Sequence, residues 1–276
     1  MKNNKYKILV LSDLKNATNT TLKSSISLAK MVDGDIDFFH VKRPTDVVKK
    51  ENQLSAIRTI NKEHFTTDKE IKNLIDPIYK DYGIKINYKI SYGNVKSEIS
   101  RYIKEHKPDI IVLGKRKSKL LSFIGDNITH LILKEHKGVI MIAADKNPLE
   151  PNKEISLGIL NDMNESFNLE FAEDLIHHSQ TPIKSFNIIK NSNVSKPDYK
   201  AANDEKTKAF VFEHNDNAIE NIDNYLSKNK VNLLYLNRTE NKESEKLGLI
   251  NSDLNEVISR LNISLIVAGE QNLTSS

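Results

Sequence analysis

The strongest constraint on this chain is an alternation of two kinds of pattern. Short apolar runs recur along its N-terminal half, and amphipathic helical stretches stand between them. The runs are Ile8–Leu11, Asp37–Val41, Ile84–Ile90, Ile110–Leu113 and Val139–Ala143. The continuous ones read as strands covered on both faces, as in a parallel sheet. Ile84–Ile90 alternates instead and reads as a more exposed edge strand.

The intervening stretches have helical spacing. Thr20–Val32 carries Leu22, Ile26 and Ala29, with Gly34 expected as the stop. Ser55–Tyr82 is long and charged, and Pro77 is expected to bend or interrupt it. Val95–His106 places Val95, Ile99, Tyr102 and Ile103 on one face, and Asn127–His136 does the same with Ile128, Leu131 and Ile132. The order β-α-β-α-β-α-β-α-β predicts a doubly wound α/β fold.

After a linker around Pro148 and Pro151 the pattern starts again. Lys7–Asp13 compares with Ser156–Asp162, each ending in Asp before a polar turn and a helix. Further strands are expected at Ile183–Ile189, Ala209–Glu213, Val231–Leu236 and Ser264–Ala268, with helices at Ser166–His178, Ala218–Lys228 and Ser252–Leu261. The chain therefore reads as an internal duplication, with domains at 1–147 and 148–276. The second copy lacks a counterpart of the long charged helix. With 276 residues, each copy has length enough for its own core.

Composition narrows the function classes. With no Cys, disulfides, Cys-ligated zinc, iron–sulfur clusters and thiol catalysis are excluded, and a reducing cytoplasm is the compartment that fits. A net charge of +4 gives no argument for nucleic acid. No run approaches the roughly 18 apolar residues of a membrane span, and the N-terminus has no signal-peptide core. No Gly-x-Ser-x-Gly elbow or Walker phosphate loop is present. His136 and His177–His178 lack metal-ligand spacing and read as surface residues, while His40 reads as packing at a strand end.

A doubly wound sheet binds ligands where strand order reverses, at the C-terminal strand ends. Asp13, His40–Val41 and Gly114 would meet there. Gly114 opens a loop with Lys115, Arg116, Lys117 and Lys119, which leads through Gly125, Asp126 and Asn127 into a helix. Such a loop suits an anion; solvated cations, with Asp126 as a helix cap, are the simpler reading. Asp13 likewise reads as a turn and cap residue or as a ligand contact.

Ser91-Tyr92-Gly93-Asn94-Val95, Ile99 and Lys107-Pro108-Asp109 through Gly114 resemble the C-terminal half of a universal stress protein domain. Asp13 and Phe39-His40-Val41 match as well. The resemblance covers residues 5–144, and residues 153–269 are similar to a degenerate second copy. It implies a Rossmann-like, adenine nucleotide α-hydrolase-like fold with strand order 3-2-1-4-5. ATP-binding members carry Gly-x2-Gly-x9-Gly-(Ser/Thr) after strand four. Here Lys117 replaces the second Gly, seven residues separate it from Gly125, and Asp126 stands where Ser/Thr would be. Lys lacks glycine's close backbone approach, and Asp repels phosphate. The lysines and Arg116 would have to neutralise phosphate instead, with Asp13 and the Val41 backbone placed for adenine. In the second copy Asn237 takes the Gly position and Gly248 stands alone, so no nucleotide site is expected there.

The resemblance thus implies a stress-response binding or signalling module in the cytoplasm, not an enzyme. It acts through an unknown protein partner without conventional ATP binding, or it binds ATP in the N-terminal copy. A weak nucleotide hydrolase is the third alternative. Family dimers pair through strand five. Val139–Ala143 and Ser264–Ala268 are therefore expected to pair within the chain as a pseudo-dimer, with strand five not interior to one chain-long sheet. A further homodimer stays open.

Overall fold

The computed structural model describes residues 5–15, 17–44, 53–115, 128–160, 169–189, 207–213, 217–237 and 257–269. The first half runs β1 (Tyr6–Ser12), α1 (Thr18–Val32), β2 (Gly34–Lys42), α2 (Gln53–Tyr82), β3 (Ile86–Tyr92), α3 (Val95–His106), β4 (Ile110–Gly114), α4 (Ile128–Glu135) and β5 (Val139–Ala143). The second runs β6 (Leu157–Leu160), α5 (Leu169–His177), β7 (Ile183–Ile189), β8 (Thr207–Glu213), α6 (Ala218–Lys228), β9 (Leu233–Asn237) and β10 (Ser264–Ala268). Residues 190–206 lie outside the described set, and with them the expected lack of a long helix before β8.

The ten strands among the described residues form one sheet, ordered β3-β2-β1-β4-β5-β10-β9-β6-β7-β8. The order 3-2-1-4-5 is as expected, and alternating β3 is an outer edge. β5 and β10 pair antiparallel, with Leu265 opposite Ile142 and Val267 opposite Ile140, while every other pairing is parallel. The expected intramolecular pairing is therefore present. It also corrects its companion expectation: joining two edges fuses the sheets, so β5 lies inside one chain-long sheet.

Side-chain alternation splits the core into two layers. Ile8, Val10, Ile110 and Val112 pack on one face with α1, α2 and α5 residues such as Ile26, Ile71 and Phe171. Leu9, Leu11, Ile111 and Leu113 pack on the other with Ile99 and Tyr102 of α3, Ile132 of α4, and Ile222 and Leu226 of α6.

Two local readings change. α1 stops at Asp33, which adopts a left-handed φ of 52° and donates its backbone N–H to the Ala29 carbonyl. Gly34 instead opens β2, where a Cβ would stand 2.5 Å from Ile8 Cδ1. α2 runs unbroken through Pro77. Proline removes one helical N–H donor, but Ile71, Ile75 and Ile78 on both sides of it are buried on the sheet and hold the helix in line.

The linker is not loose. Leu149 is fully buried and donates its N–H to Ser24 Oγ at 3.0 Å, while Lys30 Nζ reaches Asn152 Oδ1 at 2.7 Å. Buried Ser24 and Ser27 of α1 are explained by this second neighbour, while Ser25 bonds back to the Thr21 carbonyl. Lys5 adds ion pairs to Asp174 and Glu170 of α5 at 2.6 and 2.9 Å.

Candidate functional site

Strand order reverses between β1 and β4, so the crevice of the first half lies over the C-terminal ends of β1, β2, β4 and β5. The turn leaving β1 is closed by its own side chains. Asp13 Oδ1 accepts the Lys15 N–H at 3.1 Å, and Ser12 Oγ accepts that of Leu14 at 3.1 Å. Leu14 takes a left-handed φ of 57°. This is the turn role expected for Asp13.

His40 lies beneath that turn. It is buried, and its Nδ1–H donates to the Ser12 carbonyl at 2.9 Å. Burial pushes its pKa down, and the Lys42 charge acts in the same direction. Val41 is half-buried against the α3 face of the core.

Gly114 ends β4 opposite Ala143 of β5. A Cβ on Gly114 would stand 2.4 Å from Thr21 Oγ1 of α1. Close packing by α1 therefore accounts for this glycine without any ligand.

Lys115 is the last described residue before the loop. Its N–H donates to the Ala143 carbonyl at 2.8 Å, and its ammonium donates to the carbonyl of Leu261 in the second half. Burial pulls its pKa down, opposed by the Asp223 carboxylate, which itself accepts the Asn262 N–H at 3.2 Å. The sequence offers no signal for this tie across 146 positions. Arg116, Lys117, Lys119, Gly125, Asp126 and Asn127 lie outside the described residues.

The second half differs at the equivalent strand end. Asn237 lies opposite Ala268 in β10, the register that Gly114 holds with Ala143. Two residues earlier, fully buried Tyr235 stands where β4 has Val112. Its hydroxyl is buried without a hydrogen-bond partner among the described residues, and burial pushes its pKa up. Arg238, Gly248, Asn161 and Asp162 lie outside the described residues.

His136 is a correction. It is buried, with Nε2 3.2 Å from the Asp109 carbonyl, because the chain folds back between α4 and β5. His177 and His178 are exposed. Among the described residues, no group of three or more His, Asp or Glu could hold a metal ion, and no helix is long and apolar enough to cross a membrane.

Comparisons agree with this architecture. The model of the universal stress protein family matches residues 6–142. A universal stress protein from Archaeoglobus fulgidus superposes with a TM-score of 0.69 at 14% identity, covering 98% of each chain. A functionally unknown protein from Pseudomonas aeruginosa PAO1 superposes with a TM-score of 0.61 at 11% identity, covering 96% of this chain and 92% of that one. At such identities the likeness establishes the fold. No curated protein matches the chain by sequence.

Proposed function

Through residues 6–142 the chain belongs to the universal stress protein family, and from that premise we infer that it is a stress-response binding and signalling module acting through protein contacts, without a conventional nucleotide site. This reading takes residues 1–147 as one copy and 148–276 as a degenerate second, working in the cytoplasm and not as a catalyst.

One observation carries it. The first cation of the candidate phosphate loop, Lys115, is turned away into the second half, where it donates to the Leu261 carbonyl. To serve a phosphate it would have to leave a buried partner behind, and an unmet buried carbonyl is costly. The Thr21 contact also removes the need for phosphate to explain Gly114. In the second half, Asn237 adds bulk at the equivalent strand end. Exposed apolar side chains on α2, Phe65 at 71% and Tyr79 at 61%, suit a partner protein.

The competing reading is an adenine nucleotide held by Asp13, Val41, Gly114, Lys115, Arg116, Lys117, Gly125, Asp126 and Asn127. Calorimetric titration of metal-replete protein with ATP separates the two. No heat and no thermal shift at millimolar ATP is the expected result. Sub-millimolar binding that disappears in Asp13→Ala would overturn the reading.

A further inference from the structure

An open sheet has two outer edges, each a row of backbone N–H and C=O groups that another strand can pair with. Among the described residues they are β3 and β8. Their chemistry differs. Asn87 and Lys89 on β3, and Lys85 just before it, are exposed, and such cations repel a like edge. Among the described side chains of β8, Lys208 is the single charge.

Among the described strands, none pairs with the outer side of β8. Thr207, Ala209 and Val211 form one face and are exposed, Val211 at 52%. On the other face Phe210 and Phe212 are half-buried. They form an aromatic rim with Tyr225 of α6, at ring-centroid distances of 4.4 and 6.4 Å. An apolar, β-branched and aromatic edge of this kind invites pairing.

We propose that β8 is a self-association edge, which a second copy of this chain extends with its own β8, antiparallel, about a two-fold axis through Phe210. A two-fold axis normal to the sheet keeps each face on its own side and closes the assembly at two copies. In this register Ala209 lies opposite Val211 of the partner subunit, and Lys208 opposite Phe212 of the partner subunit. The charge pattern selects it. Lys208 Nζ already lies 5.4 Å from the centre of its own Phe210 ring, and the pairing gives it a second ring. It also keeps the two Lys208 residues four positions apart, about 14 Å along the strand. Sliding the axis toward Lys208 would bring the two cations together. The edge-protecting lysines of β3 allow no such pairing.

The test uses the full chain in sedimentation equilibrium up to about 100 µM, which covers the micromolar affinity of a small interface. Wild-type protein is expected to form a dimer that dissociates on dilution. Val211→Lys introduces an unpartnered charge at the junction and should weaken the dimer about ten-fold. The double variant A209E/V211K places Glu opposite Lys twice across the axis and should restore it. Far-UV circular dichroism checks that both variants keep the fold. A single-chain mass at the highest wild-type concentration would overturn the proposal. So would a dimer indifferent to V211K, or a double variant as weak as V211K.

Discussion

Whether Gly114 is a packing residue or a ligand residue can be decided by substitution. In Gly114→Ala the new Cβ would stand 2.4 Å from Thr21 Oγ1, but 3.6 Å from Ala17 Cβ and Thr21 Cβ. The last two are ordinary contacts, so one atom sets the cost. That hydroxyl is buried and donates to the Ala17 carbonyl at 2.7 Å. Turning it away breaks a sealed hydrogen bond, at about 1–3 kcal/mol. Moving α1 instead is overpacking of similar size, about 1–3 kcal/mol. Alanine restricts the unfolded chain and returns about 0.4–1 kcal/mol. The net expectation is a loss of about 1–2 kcal/mol. In a Thr21→Ala background the obstructing oxygen is gone, and Gly114→Ala should then be neutral or slightly stabilising. Urea unfolding of the four proteins gives the coupling directly, expected at about 1–3 kcal/mol. Equal costs in both backgrounds would refute the argument and return Gly114 to the ligand reading.

Two further expectations concern the same framework. His40 has a folded pKa below its ordinary 6.5, so both states are neutral at high pH and the unfolded chain takes up the proton first on acidification. Stability should therefore fall as pH drops below about 6.5 and level off below the folded value. His40→Gln should flatten that part of a urea-midpoint profile, and an unchanged slope would contradict the assignment. Ser264 is fully buried and its Oγ accepts the Ala144 N–H at 3.1 Å, beside the β5–β10 junction. Ser264→Ala leaves that donor unmet and should cost about 1–3 kcal/mol in urea unfolding; a cost near zero would show that the bond is replaced.

Local periodicity carries most of what was legible in the sequence. The continuous runs become β1, β2, β4 and β5, and Lys7–Asp13 against Ser156–Asp162 gives the duplication. The pairing of β5 with β10 follows from the family resemblance, which implies contact through strand five, and not from local periodicity. The misses have longer-range causes. Pro77 reads as a breaker until Ile71, Ile75 and Ile78 are seen clamped on the sheet. Gly34 reads as a helix stop because the stop, Asp33, supplies its left-handed turn without being glycine. Ser24 and Ser27 weaken an apolar stripe for a reason supplied by the linker, more than a hundred positions away. Lys115 is the clearest case at the candidate site. Its charge is visible in the sequence, but its partner is a backbone carbonyl, and carbonyls carry no residue signature.

The antiparallel β5–β10 junction also sets directions of approach. The strands of the first half all point one way and those of the second the opposite way. Their two crevices therefore open at opposite ends of the sheet. The halves are tied by the five-residue strands at the centre, by Lys115 and Leu261 beside them, and by the ion pairs of Lys5 with α5. The geometry is that of two outward-facing ends, rather than of one cleft between the halves.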